Sequence, residues 1–248
     1  MSTASIKAVD LTVGRDDVIL QKDASFEIPR GDIFVILGRS GCGKSTIMRH
    51  LIGLATPLSG QVLYGGAPLT SVEAVKPQFG VMFQSGALFG SMTLGENVAL
   101  PMQEWTDLPR EAIFAIVQAK LRLVGLQGSE EKMPSELSGG MRKRAAIARS
   151  MALEPELIFL DEPSAGLDPV TAAELDDLLL TLNEKMGLTL VIVTHDLDSI
   201  FRIAKHCIML DRESKSIIAR GDPKKLRESK DPKVHSFFNR ETEIEESK

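Results

Sequence analysis

One octapeptide constrains this chain more than any other stretch: Gly38-Arg39-Ser40-Gly41-Cys42-Gly43-Lys44-Ser45. It follows a continuous apolar run, Ile33-Phe34-Val35-Ile36-Leu37, and precedes a helix pattern from about Ser45 to Leu54. A run of that kind suits a strand buried on both faces. The glycines let the backbone curl until its N–H groups converge on a phosphate chain. Lys44 is long enough to reach the outer phosphates, and the Ser45 hydroxyl is a ligand for Mg2+. The helix that starts here adds the positive end of its dipole. Residues Gly38, Arg39, Ser40, Gly41, Cys42, Gly43, Lys44, Ser45 and Thr46 are therefore the candidate phosphate cradle.

The rest of the chain repeats the same alternation. Leu157–Leu160 and Thr189–Val193 read as further buried strands, with a helix over Thr171–Met186 between them. Strands alternating with helices predict an α/β architecture with a parallel sheet. Residues 5–13 and 18–30 read as two earlier strands, closed by the turn Pro29-Arg30-Gly31-Asp32. Short strands fall near Gln61–Tyr64 and Gly80–Phe83. From about 88 to 152 the character turns helical, with helices over Glu111–Val124 and Met141–Leu153, and reads as an insertion in the sheet. Residues 222–248 are highly charged, contain Pro223 and Pro232, and read as a mostly solvated, partly mobile tail.

Composition narrows the function. The formal net charge of −5 argues against life on a nucleic-acid backbone. Two cysteines, Cys42 and Cys207, make neither a disulfide framework nor a zinc set, and fit a reducing cytosol. No apolar run approaches the ~18 residues of a membrane span, and the N-terminus has no apolar signal region. Action at a membrane then needs a partner that crosses it.

Two further motifs carry chemistry. Leu157-Ile158-Phe159-Leu160 ends in Asp161-Glu162, and a carboxylate at the carboxyl end of a strand sits where α/β proteins place ligands. Asp161 suits Mg2+ held through water, and Glu162 suits a base that polarises attacking water. Leu137-Ser138-Gly139-Gly140-Met141 opens a helix, and its N–H groups form an anion site. A second phosphate site suggests a nucleotide shared between two chains.

These motifs, with Gln84 and His195, stand in the order and spacing of the ATP-binding-cassette (ABC) ATPase domain, which residues 5–220 resemble. The resemblance implies an α/β P-loop core with an antiparallel β-lobe and an inserted helical subdomain. It implies ATP and Mg2+ as cofactors and a head-to-tail pair of copies. Ser138, Gly139 and Gly140 of one copy then face the ATP of the other. It implies that Gln84 ligates the metal and senses the γ-phosphate, that His195 contacts the same phosphate, and that Ala165-Gly166-Leu167-Asp168 crosses to the partner. The domain spans 1–221, and the tail 222–248 follows.

Two departures stand out. Met141 replaces the glutamine that usually ends the signature, so Ser138 and backbone N–H groups carry the contact in trans. The first strands offer Val13, Gly14, Arg15 and Val18 where an aromatic usually stacks on adenine, which leaves Arg15 or Val18 to pack on the base.

The motifs Phe83-Gln84-Ser85-Gly86-Ala87-Leu88-Phe89, Glu96-Asn97-Val98-Ala99 and Met133–Met141 resemble, more narrowly, the MlaF-type ATPases of lipid transporters built around MCE proteins. That resemblance implies a membrane permease, a periplasmic MCE subunit, a small STAS-like subunit, and a place on the cytoplasmic face of a bacterial inner membrane. Another transported cargo, such as an amino acid or a metal, and a soluble non-transport scaffold are the competing readings. Phe237-Phe238 is either an anchor onto the parent domain or part of a tail that reaches the partner ATPase. Ala87-Leu88-Phe89 and Met92 form either a docking surface or part of the helical lobe's packing. Arg142, Lys143, Arg144 and Arg149 read as a solvated helix face. His50, His206 and His235 show no ligand spacing.

Overall fold

The computed structural model describes residues 4–15, 18–69 and 79–241. The chain forms two compact units, Met1–Val72 with Val191–Lys248, and Glu73–Leu190.

In the first unit, β1 (Ala4–Arg15) and β2 (Val18–Pro29) form a long antiparallel hairpin. β4 (Ser59–Tyr64) pairs with the other edge of β1, and β5 (Ala67–Pro68) pairs with β4. The order of this antiparallel sheet is β2-β1-β4-β5. Its alternation is the one the sequence predicts: Ile6, Ala8, Val13, Ala24, Phe26 and Ile28 are buried. A second layer begins with β3 (Ile33–Gly38), buried at all six positions. It runs parallel to β9 (His206–Leu210), which pairs antiparallel with β10 (Ile217–Gly221). The sequence reading did not anticipate β9 and β10.

The helix after β3, α1 (Lys44–Leu51), stops three residues earlier than its apolar pattern suggests. Gly53 takes a φ of +73°. The Gly53 N–H donates to His50 O and the Leu54 N–H to Arg49 O. This is a Schellman closure, in which a left-handed glycine turns the chain off the helix axis. Leu54 is left 62% exposed.

The second unit pairs β6 (Gly80–Met82) parallel with β7 (Leu157–Asp161). Helices α2 (Leu94–Trp105), α3 (Arg110–Leu123) and α4 (Gly139–Ser150) lie between them in sequence, and α5 (Pro169–Met186) follows β7. Thr93 and Glu96 close a reciprocal capping box on α2. The buried strand β8 (Thr189–Val193) carries the chain out of this unit, and α6 (Leu197–Ile203) comes next.

The charged stretch after residue 221 departs from expectation. It folds into α7 (Pro223–Leu226) and α8 (Pro232–Asn239) in the first unit. The two prolines do not break structure here. Each sits at the first helical position behind an aspartate cap, Asp222 or Asp231, where a missing N–H costs nothing. Phe238 is 2% exposed and packs on Phe201. Burying a phenylalanine stabilises by about 1.5–3 kcal/mol, enough to hold a short helix down. Lys233 of α8 bonds to Asp211 and Glu213 beyond β9.

Candidate functional site

The phosphate loop grows directly out of β3. Gly38 has a φ of +146°, Gly41 +76° and Gly43 +100°. A Cβ on Gly38 would lie 2.5 Å from Leu210 O and 2.7 Å from Cys42 Sγ. Gly43 is the N-cap of α1 in the left-handed region, and no side chain caps that helix. Gly43 has no side chain to turn back on the first turn, and a helix start of this kind suits an anion. The Lys44 ammonium donates to Gly38 O at 2.9 Å and to Arg39 O at 3.3 Å. It curls back over the loop it follows, 9% exposed.

Sequence reading missed the residue that supports this loop from below. The Gln21 side-chain N–H group donates to Cys42 O and to Asp211 O, both at 2.9 Å. Gln21 is fully buried on β2. A polar side chain at an inward strand position must find partners, and that was its available signal. Cys42 is 1% exposed and burial pushes its thiol up, so the thiol is an inert part of the loop.

The remaining residues expected of the first unit are placed separately. His195 follows β8, is exposed, and precedes the Asp196 cap of α6. Val18 is 57% exposed. The side chain of Arg15 lies outside the described residues.

In the second unit, Asp161 ends β7 and Glu162 follows at a φ of +46°, both buried. Gln84 follows β6 and is exposed. The expectation of a solvated basic face on α4 holds for Arg142, which is exposed, and fails for Lys143. Lys143 is 7% exposed, and its ammonium donates to Gln84 O and, at 3.1 Å, to Glu162 O. Burial holds the Lys143 pKa below the usual lysine range, while Glu162 and Asp161 oppose that shift. Arg149 donates to Ala87 O at 2.7 Å and Gly86 O at 2.8 Å. Arg142 donates to Leu137 O at 2.6 Å, and Arg144 to Val124 O and Glu174. Three consecutive residues fan about 200° around a helix, so they cannot share one outward face.

The signature loop is capped from within. Ser138 Oγ accepts the Met141 N–H at 3.2 Å. A Cβ on Gly140 would lie 2.5 Å from Thr171 Cγ2, and one on Gly139 would lie 3.4 Å from Leu167 Cδ2. Asp168 caps α5, accepting from the Val170 and Thr171 N–H groups and from the Thr171 hydroxyl. The Thr171 hydroxyl, foremost among these donors, holds the Asp168 carboxyl below the usual range. The loop after Gln84 is held as well. Buried Asn97 accepts the Phe89 N–H and donates to the carbonyls of Phe89, Met92 and Thr93. Phe89 itself is 51% exposed, while Leu88 and Met92 are half-buried.

Among the described residues, no group of three or more His, Cys, Asp or Glu is placed to hold a metal. Mg2+ keeps several waters and takes one or two hard protein oxygens beside substrate phosphates. The Ser45 hydroxyl and the Asp161 carboxylate are donors of that kind. No described helix is long and apolar enough to cross a membrane.

The ABC transporter family profile matches residues 21–165. The intermembrane phospholipid transport system ATP-binding protein MlaF of Escherichia coli K12 is 40% identical over 235 residues, 93% of this chain and 87% of that protein. The probable ribonucleotide transport ATP-binding protein mkl of Mycobacterium leprae is 40% identical over 240 residues, 95% of this chain and 69% of that protein. Among solved structures, the ATP-binding cassette MJ0796, a dimer in a post-hydrolysis state with ADP and Pi, superposes with a TM-score of 0.78 at 28% identity. That match covers 88% of this chain and 98% of MJ0796. Kinship at this level, spread over nearly the whole chain, makes it an ATP-binding, ATP-hydrolysing subunit of the ABC transporter family.

Proposed function

We propose that this ATPase powers phospholipid transport. Two copies pair head to tail beneath a membrane permease on the cytoplasmic face of a bacterial inner membrane. A periplasmic MCE protein and a small STAS-like subunit complete the assembly. The observation that carries the cargo is the 40% identity to an intermembrane phospholipid transport ATPase over 93% of this chain.

In this reading the glycine loop and Lys44 hold the phosphate chain of ATP, and Val18 and Arg15 flank the base. Ser45, Asp161 and Gln84 hold Mg2+, which when bound neutralises charge building on the transferred phosphoryl group. Glu162 accepts the proton of the attacking water, and His195 hydrogen-bonds the γ-phosphate. Ser138, Gly139 and Gly140 of the second copy close over the nucleotide, with Asp168 shaping the loop that faces them. The ATPase domain spans 1–221, with its helical segment at about 88–152, and the tail of 222–248 follows it.

A second reading, nucleotide cargo, is favoured by the equal identity to the ribonucleotide-named relative. A pull-down of tagged protein from detergent-solubilised membranes separates them. Mass spectrometry is expected to find a permease, an MCE-type chain and bound phospholipid. A permease without lipid or MCE chain would remove the lipid cargo and keep the ATPase. Absence of any membrane protein would leave a soluble scaffold.

A further inference from the structure

We infer that Lys143 is a positioning residue for hydrolysis, stapling the backbone of Gln84 to the backbone of Glu162. The inference rests on the roles proposed for those two residues. Its ground is geometric. One ammonium donates to two carbonyls whose residues lie 59 and 19 positions away in sequence. Both carbonyls belong to residues whose side chains are assigned to the γ-phosphate and the water.

The staple reaches strained backbone. Glu162 has a φ of +46°, a region where a side chain with Cβ is disfavoured and persists only where its surroundings over-determine it. A cation on the Glu162 carbonyl supplies such a constraint. The 84–87 loop is equally unusual: Gly86 has a φ of +77° and Ala87 +48°. Arg149, nearly two turns along α4 from Lys143, holds its Gly86 and Ala87 carbonyls. The helix that begins with the signature therefore grips, through cations, both the Gln84 loop and the residue after β7. A shift of α4 would move Gln84 and Glu162 together rather than one at a time.

The ammonium suits this task better than a neutral donor. It has three N–H bonds on a long stem and no acceptor, so it satisfies two carbonyls while remaining 7% exposed. The charged groups facing it are Asp161 and Glu162 at the end of β7. The loop Gln84-Ser85-Gly86-Ala87 brings none.

The test is Lys143→Met in the full chain, assayed for ATP turnover and for binding of MgATP. Misplacing a catalytic group by about 1 Å costs on the order of 100-fold. Lys143→Met is expected to lose about 10- to 100-fold in kcat, with KM for ATP within about threefold. Turnover within twofold of the parent, or equal losses in kcat and nucleotide affinity, overturns the staple. Lys143→Arg keeps the cation and both donors and is the variant expected to fold in any case. It is expected to restore turnover to within about threefold of the parent. Failure of Lys143→Arg to recover turnover also overturns the inference. Glu162→Gln is run beside them. A slow Glu162→Gln with a normal Lys143→Met leaves the base assigned and removes only the staple. A normal Glu162→Gln removes the assignment on which the staple depends.

Discussion

Two glycine-rich turns open helices in this molecule, and they use glycine for opposite reasons. In the loop before α1, glycine is a conformational necessity, with φ values of +146°, +76° and +100° at Gly38, Gly41 and Gly43. In the first turn of α4, Gly139 and Gly140 keep ordinary helical backbone, and Gly140 is needed for space, because Thr171 lies against it. The capping differs in the same sense. No side chain caps α1, whereas Ser138 caps α4. The N-cap residue of the first turn takes none of the N–H groups behind it, while that of the second takes one. A ligand at the second turn has to compete with a serine already bound there.

The largest expected effect falls on the first turn. Gly38→Ala forces a side chain into a backbone region that costs of order 1–3 kcal/mol for such residues, and drives its Cβ against the Leu210 carbonyl. Nucleotide affinity is expected to fall at least about tenfold, read by calorimetric titration with MgATP. Unchanged affinity would mean that backbone conformation is not what builds this site.

Gly140→Ala should act through sterics alone. Helix propensity favours alanine by about 1 kcal/mol, yet overpacking against Thr171 costs roughly 1–3 kcal/mol. The Thr171 hydroxyl is bound to Asp168, so its methyl cannot easily swing away. The urea midpoint of Gly140→Ala should drop, and Thr171→Ser in the same chain should recover it by removing the methyl and keeping the hydroxyl. A stable single variant, or no recovery in the double, would break the contrast between the two turns.

The smallest expected effect sharpens the picture of the first turn as a rigid mould. Cys42 and Cys207 are each 1% exposed, and burial raises both thiols, Cys207 to about 12. A thiol-reactive dye at neutral pH should label neither in the folded protein and both in denaturant. Rapid labelling of Cys42 in the native state would show a loop that opens.

What the sequence discloses depends on which groups hold a feature together. The strand, loop and helix around Gly38–Ser45 were legible because apolar runs and glycines are side-chain signals. The strand-end acids and the Ser138 helix start were legible for the same reason. The gripping role of Lys143 and Arg149 was not, because both bind backbone carbonyls, and every residue in a sequence has one. Gln21 also binds backbone carbonyls, and only its polar character at an inward strand position marked it. The C-terminal helices were misread for a different reason. Pro223 and Pro232 look like breakers until each is paired with the aspartate before it. Asp168-Pro169 opens α5 in the same way, and there the apolar pattern placed the helix regardless.

The carbonyl held by Gln21 on its far side belongs to Asp211, 190 residues later in the chain. The floor of the phosphate loop is therefore assembled from segments synthesised 190 residues apart. At about 5–20 residues per second, a ribosome needs on the order of 10–40 s to deliver the missing piece. A nascent chain already carries the whole Gly38–Ser45 motif through that interval without its finished support. Competence to hold nucleotide then arrives late, and a chain cut short before β9 would display the motif without the floor beneath it.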